Sequence, residues 1–560
     1  MSNNRIVIIG GVATGPKAAS RARRRDPKAE IIMIDKGNAL SYAGCGMPYF
    51  ISGDIKDCNE LMCTPAGVVR NSTFFQNVKD VKALTRTLVE SIDREKKQIS
   101  VVSLEDNKRW SIPYDKLVIA TGASHFRPPL EGSELNRIFN LGHPDDAIAI
   151  QKCAMMDDVK KVAVFGGGLI GMEVTESFAK LGLEVVIVEM MDRLLPKLLD
   201  EEIAEFLKKY LLTQGIKLRL SEKAMKLEGD ETNNVRKVIT DKGEVEADMI
   251  VTAIGVRPNV ELAREAGLKI GETRAIWVDE YLRTSDPDIY AGGDCVENTH
   301  LVTGQKVYIP LGSTANKHGR IIGDNVTGGQ EKFKGVLGTT VFKMFDYTIG
   351  CTGLTEKYAK ELGYDVVTCL APGPDLAHYY PTHATIVVKL VVNKTDGKIL
   401  GAQIIGPGDV DKRLDVVVTA MSYGGTVEDL AGLDLGYAPP YSNAIDSVAH
   451  AANIIRNKMS GLARGITPKE VKEKIDKGED FILLDVRTPA EVQKQRLADP
   501  RVVNIPLGAL RSRVAELPKD KEIIAFCAIS LRGYEAQTIL DGYGFNNVKF
   551  MDGGLAMWTY

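Results

Sequence analysis

The sequence contains no C-x-x-C pair. Its eight cysteines, at 45, 58, 63, 153, 295, 351, 369 and 527, are scattered over 560 residues. That spacing argues against a disulfide framework and points to a reducing compartment. Net charge is also scarce, only −3, so nothing in the charge balance calls for a nucleic acid partner. No apolar run reaches the roughly 18–20 residues of a membrane span. An apolar strand starts almost at the first residue, so no signal peptide is expected. These absences predict a cytoplasmic protein with no membrane or nucleic acid partner, and no metal site is expected. The remainder is ordinary for a folded soluble chain, at 44% hydrophobic and 26% charged, and long enough for several domains.

What the chain does contain is one plan written twice. Residues 1–36 read as strand, glycine turn, helix and strand: Ile6-Val7-Ile8-Ile9, then Gly10-Gly11-Val12-Ala13-Thr14-Gly15, then a helix carrying Ala18, Ala19 and Ala22, then Ile31 to Ile34 ending at Asp35. Residues 161–189 repeat it, with Val162 to Phe165, the turn Gly166-Gly167-Gly168-Leu169-Ile170-Gly171, and Val185 to Val188 ending at Glu189. This is a duplicated βαβ unit of the dinucleotide-binding kind. In the first turn Gly10 permits the tight turn, Gly15 permits close helix–strand packing, and the amides around Val12 and Ala13 face a pyrophosphate. Val12 replaces the middle glycine of the usual pattern. Asp35, twenty residues after Gly15, is placed to accept from ribose hydroxyls, and Asp294 in Tyr290-Ala291-Gly292-Gly293-Asp294 supplies a further carboxylate. The second turn is a full G-x-G-x-x-G through Gly166, Gly168 and Gly171. Glu189 lies eighteen positions beyond it. A carboxylate there accepts from a ribose 2′-OH and repels a 2′-phosphate, so NADH is favoured over NADPH, with Arg193 close by in sequence to soften that preference.

Two isolated thiols complete the pattern. Cys45, in Ser41-Tyr42-Ala43-Gly44-Cys45-Gly46-Met47-Pro48-Tyr49, follows the first turn by about thirty residues. Cys527, in Phe526-Cys527-Ala528-Ile529-Ser530-Leu531-Arg532-Gly533, lies between a strand and a helix. Successive backbone N–H groups in such a loop form an anion nest, to which Arg532 adds charge and Ser530 a hydroxyl. Two dinucleotide sites with two isolated thiols imply electrons delivered to sulfur. Without a C-x-x-C partner, the oxidised form of Cys45 is a mixed disulfide, a persulfide or a sulfenic acid. The other six cysteines read as small buried side chains.

The fold class is α/β: two Rossmann-like dinucleotide-binding domains, an α/β domain at 331–455, a linker at 456–465 and a compact C-terminal α/β domain at 466–560. The first dinucleotide domain spans 1–150 and 276–330, and the second spans 151–275. The last domain is expected to run from a helix at Pro468 to Lys477 through strands Ile482 to Asp485 and Glu522 to Phe526.

The order glycine turn, S-Y-A-G-C-G-M-P-Y, A-T-G at Ala120 to Gly122, full second turn, A-I-G-V-R-P-N at Ala253 to Asn259 and Y-A-G-G-D resembles the single-cysteine pyridine nucleotide–disulfide oxidoreductases. Within them it is most similar to the coenzyme A disulfide reductases, over about residues 1–450. The C-x4-R spacing of Cys527 and Arg532, with Asp485-Val486-Arg487-Thr488-Pro489-Ala490-Glu491, resembles a rhodanese domain; phosphatases of related architecture use the larger C-x5-R loop. The whole chain therefore looks like the fused coenzyme A disulfide reductase–rhodanese enzymes, also described as NADH-dependent persulfide or polysulfide reductases.

This resemblance implies FAD, NADH, coenzyme A and a homodimer, with 331–455 as the dimerisation domain and Cys45 redox-active. It implies cofactor contacts at Thr121, Gly122 and Gly255. It places Arg21 and Arg24 at coenzyme A phosphates and Ser41 at the pantetheine arm. In the family, tyrosines from two motifs reach the partner subunit's cysteine, and here those motifs offer Tyr379 and Tyr437, with Tyr380 beside the first. Related peroxidases and oxidases carry a histidine in the first glycine turn, where this chain has Ala13. The implied activity is reduction of persulfide, polysulfide or coenzyme A disulfide, with Cys527 handling sulfane sulfur. The alternative is an NADH oxidase or peroxidase-type flavoenzyme with a sulfur-binding or regulatory last domain.

Overall fold

The computed structural model describes residues 4–560. The chain forms two compact units. One runs to Asp192 and resumes from Gly215 to Gly338; the other comprises Arg193–Gln214 and Thr339–Tyr560.

The first unit is built on two five-stranded parallel sheets. In one, the strand order is Ile289–Ala291, Lys116–Ile119, Arg5–Ile9, Glu30–Ile34 and Lys82–Leu84. Apolar runs flanked by glycine form these strands because both faces are covered by helices or further strands. Ile6, Val7 and Ile8 are fully buried, each contributing about 1.5–3 kcal/mol relative to exposure. Strand Ile289–Ala291 rejoins the first sheet beside Lys116–Ile119, in parallel register Ile289 to Leu117. The second sheet, ordered Ile138–Asn140, Met249–Thr252, Lys161–Phe165, Glu184–Val188 and Lys217–Arg219, repeats four of these positions, and its remaining strand, Ile138–Asn140, precedes the glycine turn in the chain. The duplication seen in the sequence is thus a duplication of topology, and it brings both glycine turns to the C-terminal edges of their sheets, where open α/β sheets bind ligands.

The second unit contains an antiparallel sheet, ordered Thr340–Met344, Tyr347–Gly353, Ile399–Gly406, Thr385–Asn393 and Val366–Pro374, and a parallel sheet ordered Gly465–Ile466, Val548–Met551, Glu522–Phe526, Phe481–Asp485 and Val502–Asn504. Lys389 lies in the antiparallel sheet with only 1% of its side chain exposed, and its ammonium meets Glu356 at 2.8 Å, Glu202 at 2.9 Å and Asp200 at 3.2 Å. A buried cation persists because these carboxylates compensate it. Burial pushes the Glu356 carboxyl up, but Lys389 and Lys360 outweigh that and hold it down at about 2.

Half of the expected linker at 456–465 lies in regular elements. Helix Ser447–Met459 runs through its first four residues and strand Gly465–Ile466 begins at its end. The residues that read as a polar spacer are ion-pair partners: Arg456 binds Glu428 at 2.8 Å, Arg464 binds Asp541, and Lys458 binds Asp552. The helix expected at Pro468 to Lys477 is Pro468–Asp476, started by a Thr467–Glu470 capping box.

Candidate active site

The two glycine turns have matching geometry. Gly10 and Gly166 have φ of +116° and +100°, and a Cβ on either would strike a backbone oxygen, that of Ala120 at 2.1 Å or Ala253 at 2.6 Å. Gly15 and Gly171 each press against the turn's first carbonyl; a Cβ there would lie 1.8 or 2.0 Å from it. Gly168 differs, since the nearest atom to its Cβ position is 4.0 Å away. Its lack of a side chain leaves room at the helix start. The helices Thr14–Arg25 and Leu169–Lys180 begin at Ala13 and Gly168 with no side-chain cap. Among the described residues no protein acceptor meets the amides of Val12 to Gly15 or Gly168 to Gly171. Open amides at helix starts suit a pyrophosphate.

The acidic residues match as well. Asp35 accepts from the Gly11 and Gly37 amides at 2.6 and 2.7 Å; Glu189 accepts from the Gly167 and Met191 amides at 2.7 Å each. Each carboxylate is thereby aimed across its glycine turn with lone pairs left for hydroxyl donors. Thr121 and Gly122 are tied to Asn259: the Thr121 hydroxyl donates to the Asn259 carbonyl at 2.8 Å, the Asn259 side chain returns a bond to the Thr121 carbonyl at 2.8 Å, and the Asn259 amide donates to the Gly122 carbonyl at 3.0 Å. Gly255 has φ +104° and open space around its Cβ position. Asp294 is half-buried, which raises its carboxyl pKa. Its loop is held by His318, whose Nδ1 accepts from the Gly293 amide at 3.1 Å. The residues present therefore fit two dinucleotides, one at each turn.

Cys45 occupies the short 3-10 turn Gly44–Gly46 and is exposed. Partial enclosure of its sulfur, then the charges of Glu173 and Asp294, raise its thiol pKa. Glu173 comes from helix Leu169–Lys180, which meets helix Met47–Ile51 through a 2.8 Å bond from the Ser177 hydroxyl to the Pro48 carbonyl. Burial, then Glu176, pushes the Glu173 carboxyl up to about 7.

Of the residues placed at coenzyme A, Ser41 is in the left-handed region (φ +51°) and its amide donates to the Gly11 carbonyl at 2.7 Å. Arg24 is exposed. The Arg21 guanidinium is held by Asp324 through bonds of 2.6, 2.9 and 3.0 Å, so a phosphate at Arg21 competes with that carboxylate. In the other unit, Tyr379 and Tyr437 are 64% and 51% exposed. They meet each other: a hydrogen bond with Tyr437 raises the Tyr379 phenol pKa. Tyr380 is half-buried.

Cys527 is buried at the end of strand Glu522–Phe526. Among the described residues no protein acceptor meets the backbone amides from Ala528 to Gly533, as an anion nest requires. Arg532 is pinned by Glu491 through bonds of 2.9 and 2.6 Å; the Glu491 pair and the nearby Cys527 sulfur raise the guanidinium pKa. Ser530, expected to offer its hydroxyl to bound sulfur, has φ +92° and accepts from the Gly553 amide at 2.6 Å. Its oxygen shapes the loop from the side of the following turn.

Four residues at these sites were not singled out for the roles the structure gives them: Glu173, Asn259, Glu491 and His318. Asn259 and Glu491 sit inside motifs quoted above. Glu173 carried only a weak signal, a carboxylate two residues past the second turn. His318 carried none.

The comparisons with known proteins follow this architecture. The family described as pyridine nucleotide-disulphide oxidoreductase matches residues 4–319, its dimerisation domain matches 339–449, and the rhodanese-like domain matches 467–560. The chain is 36% identical over 452 residues to the NAD(P)H coenzyme A polysulfide/persulfide reductase of Pyrococcus horikoshii, covering 81% of this chain and 98% of that one. Among solved structures it is similar to a NAD-dependent persulfide reductase from A. fulgidus, at 44% identity and TM-score 0.94 over 99% of this chain and 100% of that one. It is also similar to the reduced CoADR-RHD of Bacillus anthracis, at 35% identity and TM-score 0.93 over 100% of this chain and 98% of that one. No helix among the described residues is long and apolar enough to cross a membrane. The chain belongs to the pyridine nucleotide–disulphide oxidoreductases, as a member that carries their dimerisation domain and a C-terminal rhodanese-like domain.

Proposed function

We propose that the chain is a cytoplasmic, homodimeric reductase that passes electrons from NADH to Cys45 and so reduces persulfide, polysulfide or coenzyme A disulfide, with sulfane sulfur handled by Cys527. The observation that carries this reading is the exposed lone thiol of Cys45 in the same unit as two open-amide glycine turns. Residues 1–150 with 276–330 hold FAD, 151–275 hold NADH, 331–455 form the dimer contact and 466–560 form the rhodanese domain.

FAD would be held by the first glycine turn with Asp35, Thr121, Gly122 and Asp294, and NADH by the second turn with Glu189 and Gly255. Bound FAD supplies the two-electron link between NADH and sulfur. Cys45 acts as thiolate. It attacks one sulfur of R–S–S–R′ or R–S–SH; a Cys45–sulfur bond forms, the substrate's sulfur–sulfur bond breaks, and the electron pair leaves on a thiolate or hydrosulfide. Return of Cys45 to thiolate takes two electrons and frees the second thiol. Each turnover thus consumes one NADH and one proton. Tyr379 and Tyr437 serve Cys45 of the partner subunit by donating hydrogen bonds to the leaving sulfur. Arg21, Arg24 and Ser41 hold coenzyme A. At Cys527 the thiolate takes the outer sulfur of a polysulfide, the donor leaves as a shortened thiolate, and the resulting persulfide lies against the amides of Ala528 to Gly533 beside Arg532.

The test compares NADH oxidation with coenzyme A persulfide, coenzyme A disulfide, polysulfide, peroxide and oxygen. The sulfur substrates should give the highest kcat/KM. Preference for oxygen or peroxide would instead support an oxidase-type enzyme with a regulatory last domain.

A further inference from the structure

Lys458 lies at the end of helix Ser447–Met459, and Asp552 follows strand Val548–Met551 of the rhodanese-like sheet. Their side chains form an ion pair with exposures of 12% and 4%. Lys458 also donates to the Thr368 carbonyl at 2.7 Å, in the antiparallel sheet of the dimerisation region. The space is shaped for the pair: a Cβ on Gly465 would lie 2.8 Å from the Lys458 nitrogen and 2.9 Å from an Asp552 oxygen. Burial raises the Asp552 carboxyl pKa and Lys458 opposes that rise, while Glu202 and Glu470 add to it. Oδ1 of Asp552 is buried with no hydrogen-bond partner. The lysine is therefore this carboxylate's ion-pair partner among the described residues.

The four residues after Asp552 clamp the sulfur loop. The Gly553 amide donates to the Ser530 hydroxyl at 2.6 Å, the Leu555 amide to the Cys527 carbonyl at 3.0 Å and the Ala556 amide to the Ala528 carbonyl at 2.9 Å. A Cβ on Gly554 would lie 2.5 Å from the Cys527 carbonyl, and one on Gly553 would meet Leu370 of the antiparallel sheet at 3.4 Å. Ser530 is held at φ +92°, a conformation that persists only when its surroundings impose it. Two hydrophobic clusters of the rhodanese-like sheet among the described residues are made from residues 466–558, and neither draws on the helix of Lys458. The pair instead fixes the far end of the turn that shapes the Cys527 loop.

We propose that Lys458 is a positioning residue for sulfur transfer at Cys527: through Asp552 and the turn that follows, the dimerisation region sets the geometry of the loop that carries the thiol. This rests on the reading of Cys527 as the sulfur carrier. The experiment uses the full-length holoenzyme as wild type, Lys458→Met, Lys458→Met with Asp552→Asn, and Cys527→Ser. Sulfur transfer from thiosulfate to a small thiol reports on Cys527, reduction of coenzyme A disulfide by NADH reports on Cys45, and thermal unfolding reports on the fold.

In Lys458→Met, kcat for sulfur transfer should fall about tenfold or more, as expected for a misplaced reacting group. KM for thiosulfate and coenzyme A disulfide reduction should stay at wild-type values. The double variant, which leaves no stranded carboxylate, should recover thermal stability without recovering kcat, and it carries the test if Lys458→Met alone does not fold. Wild-type transfer in either variant would overturn the proposal, and so would an equal loss at Cys45, since the pair would then only hold the fold together. If Cys527→Ser keeps full transfer, the carrier reading itself fails, separately from the role of the pair.

Discussion

Glu491 and Arg532, 41 residues apart, are joined by two hydrogen bonds of 2.6 and 2.9 Å beside Cys527. The pair holds the guanidinium fork in one orientation at the rim of the sulfur loop, something a lysine's point charge does not reproduce. Glu491→Gln should lower Cys527-dependent sulfur transfer about tenfold, or about 1.4 kcal/mol of activation free energy, and Arg532→Lys should not do better. Coenzyme A disulfide reduction at Cys45 should be unchanged in both. Arg532 holds the Glu491 carboxyl down at about 2. The pair's contribution is therefore complete above the ordinary carboxyl pKa and is lost only as pH falls towards 2. Sulfur transfer measured against pH should show no limb from this group near neutrality.

Glu173 has the opposite sign. Burial and Glu176 raise its carboxyl to about 7, so the folded protein keeps this proton where the unfolded chain has released it. Its favourable contribution is present below the ordinary carboxyl pKa and is lost as pH rises through about 7. Glu173→Gln should therefore gain thermal stability relative to wild type above that pH. Once ionised, Glu173 also opposes the Cys45 thiolate. The rate of Cys45 alkylation against pH should move to lower pH in the variant; an unmoved profile would remove Glu173 from the thiol's surroundings.

Glu189 accepts from two backbone amides at 2.7 Å each, and on the proposed reading of the second turn this fixed carboxylate repels a 2′-phosphate. NADH should exceed NADPH in kcat/KM by about tenfold or more, for a cost of about 1–3 kcal/mol. Glu189→Ala should narrow that ratio mainly by improving NADPH. Equal efficiency of the two nucleotides in wild type would contradict this role.

The duplicated units were legible because each is local. Strand, glycine turn, helix and closing carboxylate fall within about thirty residues, and the same geometry recurs at Gly10 with Asp35 and at Gly166 with Glu189. The open amides after Cys527 were legible for the same reason, since one short loop supplies them. What escaped depends on residues far apart in sequence. Arg21 reads as a phosphate contact, and its pairing with Asp324, 303 residues away, has no local signal. Glu173 reads as an ordinary helix residue until the Ser177–Pro48 bond, spanning 129 residues, brings its helix against the helix Met47–Ile51 that follows Cys45. Lys458 lies in a polar stretch that reads as a linker, and only Asp552, 94 residues later, shows that it is half-buried and paired.

The central claim is that NADH electrons reach the substrate through Cys45. It is tested most directly by anaerobic mixing of the Cys45→Ser holoenzyme first with NADH and then with coenzyme A persulfide, following flavin absorbance and sulfide release. The account predicts that NADH still bleaches the flavin, that the substrate no longer restores its colour, and that sulfide release falls to background. Sulfide release at the wild-type rate from Cys45→Ser would contradict it.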